Sequence, residues 1–306
     1  VYKRQVWGVG KNANGQLGDG TTTARTSLVS MSGVANAVAA ACGESHTAVL
    51  AANGSVWATG LNSAGQLGDG TGAQRTSAVQ VMAANSAAMI ACGQTHTVVL
   101  KTDGTAWAAG QNADGQLGDT TNTVRSAFVQ MSNIANAATV ACGQCHTVAV
   151  RFDGTVWCTG NNAYGQLGDG TTAARSSAVQ MANITGAVAA AGGAAHTAVL
   201  RSDCSVWSVG LNAYGQLGDG TTTQATAPVR MLGVSDAVAV ACGDHHTIVY
   251  RASGALFGVG RNDSGQIGDG RFMAGGTSVT EYGNYRAHVF TSNSTLQVLR
   301  SNAVAD

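Results

Sequence analysis

Charge is scarce in this chain of 306 residues: Asp, Glu, Lys and Arg make up 10% of it, and sixteen basic residues balance sixteen acidic ones. So little charge raises the question of a membrane, but no run of about 18 or more consecutive apolar residues occurs, which excludes a spanning helix. The 44% hydrophobic content is ample for a core and excludes a polar disordered chain. A balanced charge supplies no long-range field, so nothing points to nucleic acid or to an anionic membrane surface. Proline occurs once, and no Pro-rich or charged linker divides the chain. A signal-peptide pattern is also missing, and Val1-Tyr2-Lys3-Arg4-Gln5 matches nothing downstream. Residues 1–5 are therefore expected to be non-native, with the repeat proper starting at Val6, and the chain is read as a fragment.

What the chain has instead is glycine, 42 residues of it, and an internal repeat. Trp7, Trp57, Trp107, Trp157 and Trp207 recur every 50 residues, and Phe257 takes the next place. Gly-Gln-Leu-Gly-Asp begins at Gly15, Gly65, Gly115, Gly165 and Gly215, and returns at Gly265 with Ile267 for Leu. Cys-Gly-x-x-His-Thr begins at Cys42, Cys92, Cys142 and Cys242; the copy at Gly192 has lost the Cys but keeps His196 and Thr197.

Inside one unit the pattern is that of strands. Ala37 to Cys42 and His46 to Leu50 are short apolar runs, the turn Ala52-Asn53-Gly54 leads into Ser55 to Thr59, and Ser77 to Val81 supplies a fourth strand. Asn-Gly here, and Asp-Gly at Asp103 and Asp153, are strong hairpin signals. Four short strands in about 50 residues is the size of a propeller blade, and no sustained 3.6-residue period competes with that reading. The expected fold is all-β: a single β-propeller domain over 1–306, of four-stranded blades, with residues 271–306 forming a degenerate last blade. Physical chemistry accounts for the frame. One large ring per blade should fill the wedge between blades. Leu17 and its equivalents should plug the loop side, and Asp19 and its equivalents should bind loop amides. The repeated His should sit buried and neutral against a backbone carbonyl.

Together, Cys-Gly-x-x-His-Thr and Val-Trp-x-x-Gly-x-Asn-x-x-Gly-Gln-Leu-Gly-Asp resemble the regulator of chromosome condensation repeat family, strongly from Val6 to about Gly270 and weakly to Ser301. The resemblance implies a ring that is typically seven-bladed. Five strong hairpins are present, and a sixth has Tyr282-Gly283 in place of Cys-Gly and Thr295 to Val298 in place of the Trp strand. Six to seven blades are therefore expected, with a truncated seven-bladed ring preferred to a six-bladed one closed by its termini.

Motifs that carry chemistry dissolve into this frame. Cys142-Gly143-Gln144-Cys145-His146 spells the c-type haem attachment pattern, but the other units carry the same frame without a second Cys. Neither haem nor structural zinc is expected, because no second Cys/His pair lies nearby. The Gly loops lack the Lys-Ser/Thr and the helix of a phosphate loop, and one Asp per loop is too few for calcium. Arg25, Arg75, Arg125 and Arg175 should pair locally with the loop Asp. The signature cysteines should be small buried hydrophobes unable to reach one another, and Cys204, standing where other units have the turn Gly, should carry backbone strain. Cysteine usage favours a reducing compartment; the sequons at Asn53, Asn183, Asn262 and Asn293 leave an extracellular one open.

No residue set stands out as nucleophile plus base, so no catalytic residue, cofactor or metal is expected, and the chain is read as a non-enzymatic scaffold that binds a protein partner. Function should lie where the copies differ, in the two x positions: Glu44-Ser45, Gln94-Thr95, Gln144-Cys145, Ala194-Ala195 and Asp244-His245. Of these, Glu44, Ser45, Gln94, Thr95, Gln144, Asp244 and His245 are the candidate partner-binding residues. Family members that sense ultraviolet light carry Trp and Arg there, and this chain has neither. A second irregular patch comprises Arg271, Phe272, Met273, Tyr282, Tyr285 and Arg286. The resemblance also leaves a guanine-nucleotide exchange factor and a secreted recognition or inhibitor module as alternatives. In the family, exchange uses a wedge inserted into one blade and a basic tail; strict 50-residue spacing leaves no room for that wedge.

Overall fold

The computed structural model describes residues 4–83, 86–268, 277–282 and 285–290. The chain forms two compact units, Val1–Arg261 and Asn262–Asp306. Every element of the first is a β-strand. Four complete antiparallel blades follow one another: Ala37–Cys42, His46–Ala51, Val56–Gly60 and Arg75–Met82; Ala87–Cys92, His96–Lys101, Ala106–Gly110 and Arg125–Gln130; Ala137–Cys142, His146–Arg151, Val156–Gly160 and Arg175–Gln180; Ala187–Gly192, His196–Arg201, Val206–Gly210 and Ala225–Arg230. A fifth blade has, among the described residues, three strands, Ala237–Cys242, His246–Arg251 and Leu256–Gly260, and a leading pair, Trp7–Gly10 with Arg25–Ser30, supplies the last two strands of the unit before the first blade. The strands match the periodicity read from the sequence to within one or two residues. The second unit holds the Asn262–Gly268 loop and a hairpin in which Thr277–Tyr282 pairs with Tyr285–Phe290, Tyr282 opposite Tyr285. Arg271, Phe272, Met273, Asn293 and the Thr295 to Val298 segment lie outside the described residues.

First strands of successive blades pack against one another, which their Ala, Val, Cys and Gly side chains permit. The wedges between blades hold buried Leu67, Leu117, Leu167 and Leu217 with Met131, Met181 and Met231. The tryptophans fill that space only in part: Trp57, Trp107, Trp157 and Trp207 are half-buried, Trp57, Trp157 and Trp207 pack against these clusters, and each donates its indole N–H to a Ser or Thr hydroxyl two residues earlier, as Trp57 does to Ser55 at 3.0 Å. A polar N–H needs such a partner, which holds the ring at the margin and leaves the centre to aliphatic side chains. Lys101 and Arg151 lie 3.7 and 3.9 Å over the Trp107 and Trp157 rings.

The repeated His makes a different bond from the expected one. His46 Nε2 lies 2.9 Å from Thr97 Oγ1 of the next blade, and His96, His146 and His196 meet Thr147, Thr197 and Thr247 in the same way at 2.9–3.1 Å. Each Thr hydroxyl is already committed as a donor: Thr97 Oγ1 gives its proton to the Gln66 carbonyl at 2.6 Å, and Thr147, Thr197 and Thr247 do likewise to Gln116, Gln166 and Gln216. The imidazole must therefore donate, which assigns the Nε2–H tautomer and leaves Nδ1 as a bare lone pair without a partner. That nitrogen lies over Gly43 in the first blade, where a Cβ would collide with the His46 ring and the Gly93 carbonyl. Backbone bonds extend the seam. Glu44 N donates to Gln94 O, Gln94 N to Gln144 O and Ala194 N to Asp244 O, and farther out Gly70 N donates to Ser126 O.

Of the signature cysteines, all free thiols, Cys42 departs from the expectation in being exposed; Cys92, Cys142 and Cys242 are half-buried, pack against the clusters between blades, and have their thiols pushed up by burial, as small buried hydrophobes should. The strain expected at Cys204 is present: its φ is +62°, where Gly54, Gly104 and Gly154 occupy the same turn position.

Two outcomes follow from this packing. Burial depresses the imidazoles of His46 and His146 to about 4, and those of His96 and His196 to about 3. A group whose folded pKa is lowered lets the unfolded chain bind more protons below its ordinary value of 6.5, so stability is full above that pH and is lost as pH falls towards 4. Melting temperature should hold between pH 7 and 8 and drop steadily below 6.5, with a shallower drop in His96→Asn; a level profile to pH 4.5 would show that these rings titrate normally. Cys204→Gly should raise stability by about 1 kcal/mol, or roughly 2–4 °C in a scan, by relieving the left-handed backbone.

Candidate partner-binding face

Each second strand opens directly after the Gly-x-x turn, and each third strand ends beside it, since His46 pairs with Gly60. The turn between the first two strands and the long loop between the last two therefore share one end of the blade. The hairpin tips carrying Asn53-Gly54, Phe152-Asp153 and their equivalents lie at the other.

Asn62, wholly buried, organises the long loop. Its Oδ1 accepts the Leu67 amide, and its Nδ2 donates to Asp69 Oδ1, Thr71 O and Ala73 O at 2.9–3.1 Å. Asn12, Asn112, Asn162 and Asn212 make the same set. Asp19 Oδ1 binds the Thr21 amide and hydroxyl, and Oδ2 takes the Arg25 guanidinium at 2.6 Å. Arg75, Arg125 and Arg175 pair with Asp69, Asp119 and Asp169 at 2.6–2.7 Å, as the sequence pattern suggested. Burial pushes the Asp19 carboxyl up, but hydrogen bonds from Thr21 and the Arg25 guanidinium, with a smaller one from Asn12, outweigh it and bring the group down to about 2. Gly65 is required where this loop crosses the seam: its φ is +74°, and a Cβ there would strike the Ser126 backbone of the next blade.

Of the candidate residues, those in the first variable position converge. Glu44, Gln94, Gln144 and Asp244 line one cleft of about 400 Å³ with Cys42, Cys92, Cys142 and Cys242. Glu44, Gln144 and Asp244 are exposed there and Gln94 is half-buried. The second position turns away from the cleft into the seam. Ser45 is only 7% exposed, and Thr95 and His245 are half-buried. Carbonyls of Ser45, Thr95, Cys145, Ala195 and His245 accept the amides of Leu61, Gln111, Asn161, Leu211 and Arg261. Of the Cys-x-x-Cys-His motif, Cys142 faces the cleft, Cys145 sits in the seam beside Asp114, and His146 is bonded to Thr197.

The seam also gathers residues that the sequence reading did not single out. Asn161 donates to Asp114 at 3.0 Å. The Tyr214 ring lies 5.4 Å from that of His245, and the Arg261 guanidinium lies 5.4 Å from the Tyr214 ring. Tyr164 and Tyr214, 42% and 48% exposed, occupy the slot just before Gly-Gln-Leu. Asn14, Ala64, Asp114 and Ser264 hold the same slot in other copies. That slot varies inside a constant loop, so the rule that pointed to the turn positions would have found it too. Face chemistry thus changes from seam to seam over an invariant frame: Asp114 with Gln144, Cys145 and Asn161; Tyr164 with Ala194, Ala195 and Leu211; Tyr214 with Asp244, His245 and Arg261. Among the described residues no group of three or more His, Cys, Asp or Glu could hold a metal ion, and no helix is long and apolar enough to cross a membrane.

The loop hierarchy has a measurable consequence. Asn112→Ala strips the Leu117 amide and two carbonyls of a buried partner and should cost about 3 kcal/mol or more in urea unfolding. Arg125→Ala removes a pair that is one-third exposed and should cost at most about 1 kcal/mol.

Known proteins share this architecture. The sequence matches none of the curated proteins. Among solved structures, human WBSCR16 superposes with a TM-score of 0.73 at 24% identity, over 84% of this chain and 74% of that one. Yeast RCC1 (Prp20), solved bound to Kap60, gives 0.60 at 17% identity over 89% and 82%. Prp20p from Saccharomyces cerevisiae, in a study of its binding to Gsp1p and histones, gives 0.56 at 16% over 89% and 84%. At these identities the likeness is one of fold. The RCC1-like domain model matches residues 2–289, nearly the whole repeat array, and the chain belongs to that family of β-propellers.

Proposed function

We propose that this protein is a non-enzymatic scaffold that binds a protein partner through the loop face just described. The observation that carries the reading is that this face sets variable side chains in an otherwise constant pair of loops, where those of the first turn position gather at one cleft. Asn62, Asp69, His46, Thr97 and their equivalents repeat because each seam needs them, whereas Glu44, Gln94, Gln144 and Asp244 change from copy to copy around the cleft, and Thr95 and His245 change beside them in the seam. Ser45, being buried, supports its neighbours more than it meets a partner. Tyr164, Leu211 and Tyr214 join the set: half-exposed tyrosines are rigid amphipathic anchors of the kind that dominate interface energetics. Partner binding by structural neighbours, Kap60 by RCC1 (Prp20) and Gsp1p and histones in the study of Prp20p, lends the same support at the level of fold. The exchange-factor alternative rests on the family likeness alone, with no residue carried over by motif.

The test is affinity purification from the source organism with three baits: the unaltered chain, Tyr164→Ala/Tyr214→Ala, and Phe152→Ala. Phe152, 79% exposed at a hairpin tip of the other end, is the control. Partners captured by the unaltered chain and the Phe152 variant should be lost, by tenfold or more, from the double variant. Equal capture by all three baits would move the binding surface elsewhere, and an enriched small GTPase whose nucleotide the chain releases would replace the scaffold with an exchange factor.

A further inference from the structure

Four loops of the array hold a guanidinium in the same grip. Arg25 Nε donates to Asp19 Oδ2 at 2.7 Å and its Nη2 reaches the Thr21 hydroxyl at 3.2 Å; Arg75, Arg125 and Arg175 repeat both contacts on Asp69 and Thr71, Asp119 and Thr121, and Asp169 and Thr171. The fifth loop has the same acceptors without the cation. Position 225 is Ala, and among the described residues no Arg, Lys or His pairs with Asp219.

The rest of that loop is intact. Asn212 Nδ2 donates to Asp219 Oδ1 at 3.1 Å, and the Thr221 amide reaches the same oxygen at 3.0 Å. What differs is Oδ2: lacking a guanidinium, it shares the Thr221 hydroxyl with Oδ1, both at 3.0 Å, whereas the sister Thr hydroxyls bond Oδ1 alone. Oxygens shaped by their neighbours to receive a planar, forked cation, on a half-buried Asp219, are thus left without one among the described residues, and Tyr214 stands in the same loop. A fork of that shape suits Arg better than Lys, whose ammonium is a point charge with no plane to match.

We infer that Asp219 and Thr221 form a vacant arginine socket, filled in trans by an arginine side chain of the protein partner. The carboxylate oxygen accepts the Nε–H and one Nη–H of that arginine, and the Thr221 hydroxyl swings back to Oδ1 and accepts the other, reproducing the four internal pairs. The site is open and one carboxylate deep, which suits a side chain carried in by a larger surface rather than a free small molecule. The identity of the occupant as a protein rests on the partner-binding reading of this face; the chemistry of the socket does not.

The experiment follows amide resonances of the isotope-labelled full chain during titration with N-ethylguanidinium and, separately, with n-butylammonium. The Thr221 amide should shift saturably with the guanidinium, at millimolar concentration, and at least fivefold more weakly with the ammonium ion. The amides of Thr21, Thr71, Thr121 and Thr171, whose sockets are occupied, serve as internal controls and should stay still. Ala225→Arg, which restores the residue of the sister loops, should abolish the response, and Asp219→Asn should do so with the remaining resonances in place. Equal shifts in all five loops, equal response to ammonium, or an unchanged response in either variant would overturn the socket. Loss of the socket would leave face-dependent capture untouched, and failure of that capture would leave a guanidinium response untouched, so the two readings fail separately.

Discussion

The structure depends on one interaction repeated from seam to seam: a threonine hydroxyl that accepts from a buried imidazole and donates to a backbone carbonyl, both belonging to the preceding blade. The hydroxyl offers one proton and two lone pairs, and this geometry uses it to tie a strand and a loop of one blade to a strand of the next. Its partner, the imidazole, stays neutral because it is desolvated, and it reaches the hydroxyl only because the residue beneath it is glycine. The Cys-Gly-x-x-His-Thr signature is therefore a statement about two blades at once. Its Gly and His serve one seam and its Thr the seam before.

A repeat array is stabilised by its interfaces as much as by its units, since each blade touches only its neighbours. The division of labour across each seam follows from polarity. Aliphatic side chains such as Leu117 and Met131 fill the dry centre, the half-buried Trp157 ring packs against them with its N–H turned to the Thr155 hydroxyl, and the His–Thr bonds cross the seam. Left-handed backbone recurs in these loops: Gly65 adopts it freely, and Cys204, the one described hairpin tip of a blade where a side chain stands in for glycine, carries the strain. Because these demands recur every 50 residues, selection on the frame leaves few places for variety. The loop face is one place where variety remains, and it is also where Ala225 leaves Asp219 without the arginine of its sister loops.

The sequence set out the repeat length, the strand positions, the Asp–Arg pairs and the strain at Cys204, because each follows from local chemistry: hairpin turns, short apolar runs, and charges six residues apart in one loop. It also marked the variable turn residues, and Glu44, Gln94, Gln144 and Asp244 do gather at one cleft. Tertiary structure alone decided the rest. The hydroxyl partner of His46 lies 51 residues away in another blade, so no local pattern names it in place of a carbonyl. Cys42 is exposed, whereas Cys92 and Cys242 turn their thiols to the Ala41 and Ala191 carbonyls of the preceding blade, a fact about blade arrangement and not about the apolar run that holds them. Tyr214 meets His245, and Asp114 meets Asn161, only across a seam, since these are contacts between loops of different blades. Local composition determines what each blade is; which side chains share a surface is settled by how blades stack, because that is where residues a full repeat apart become neighbours.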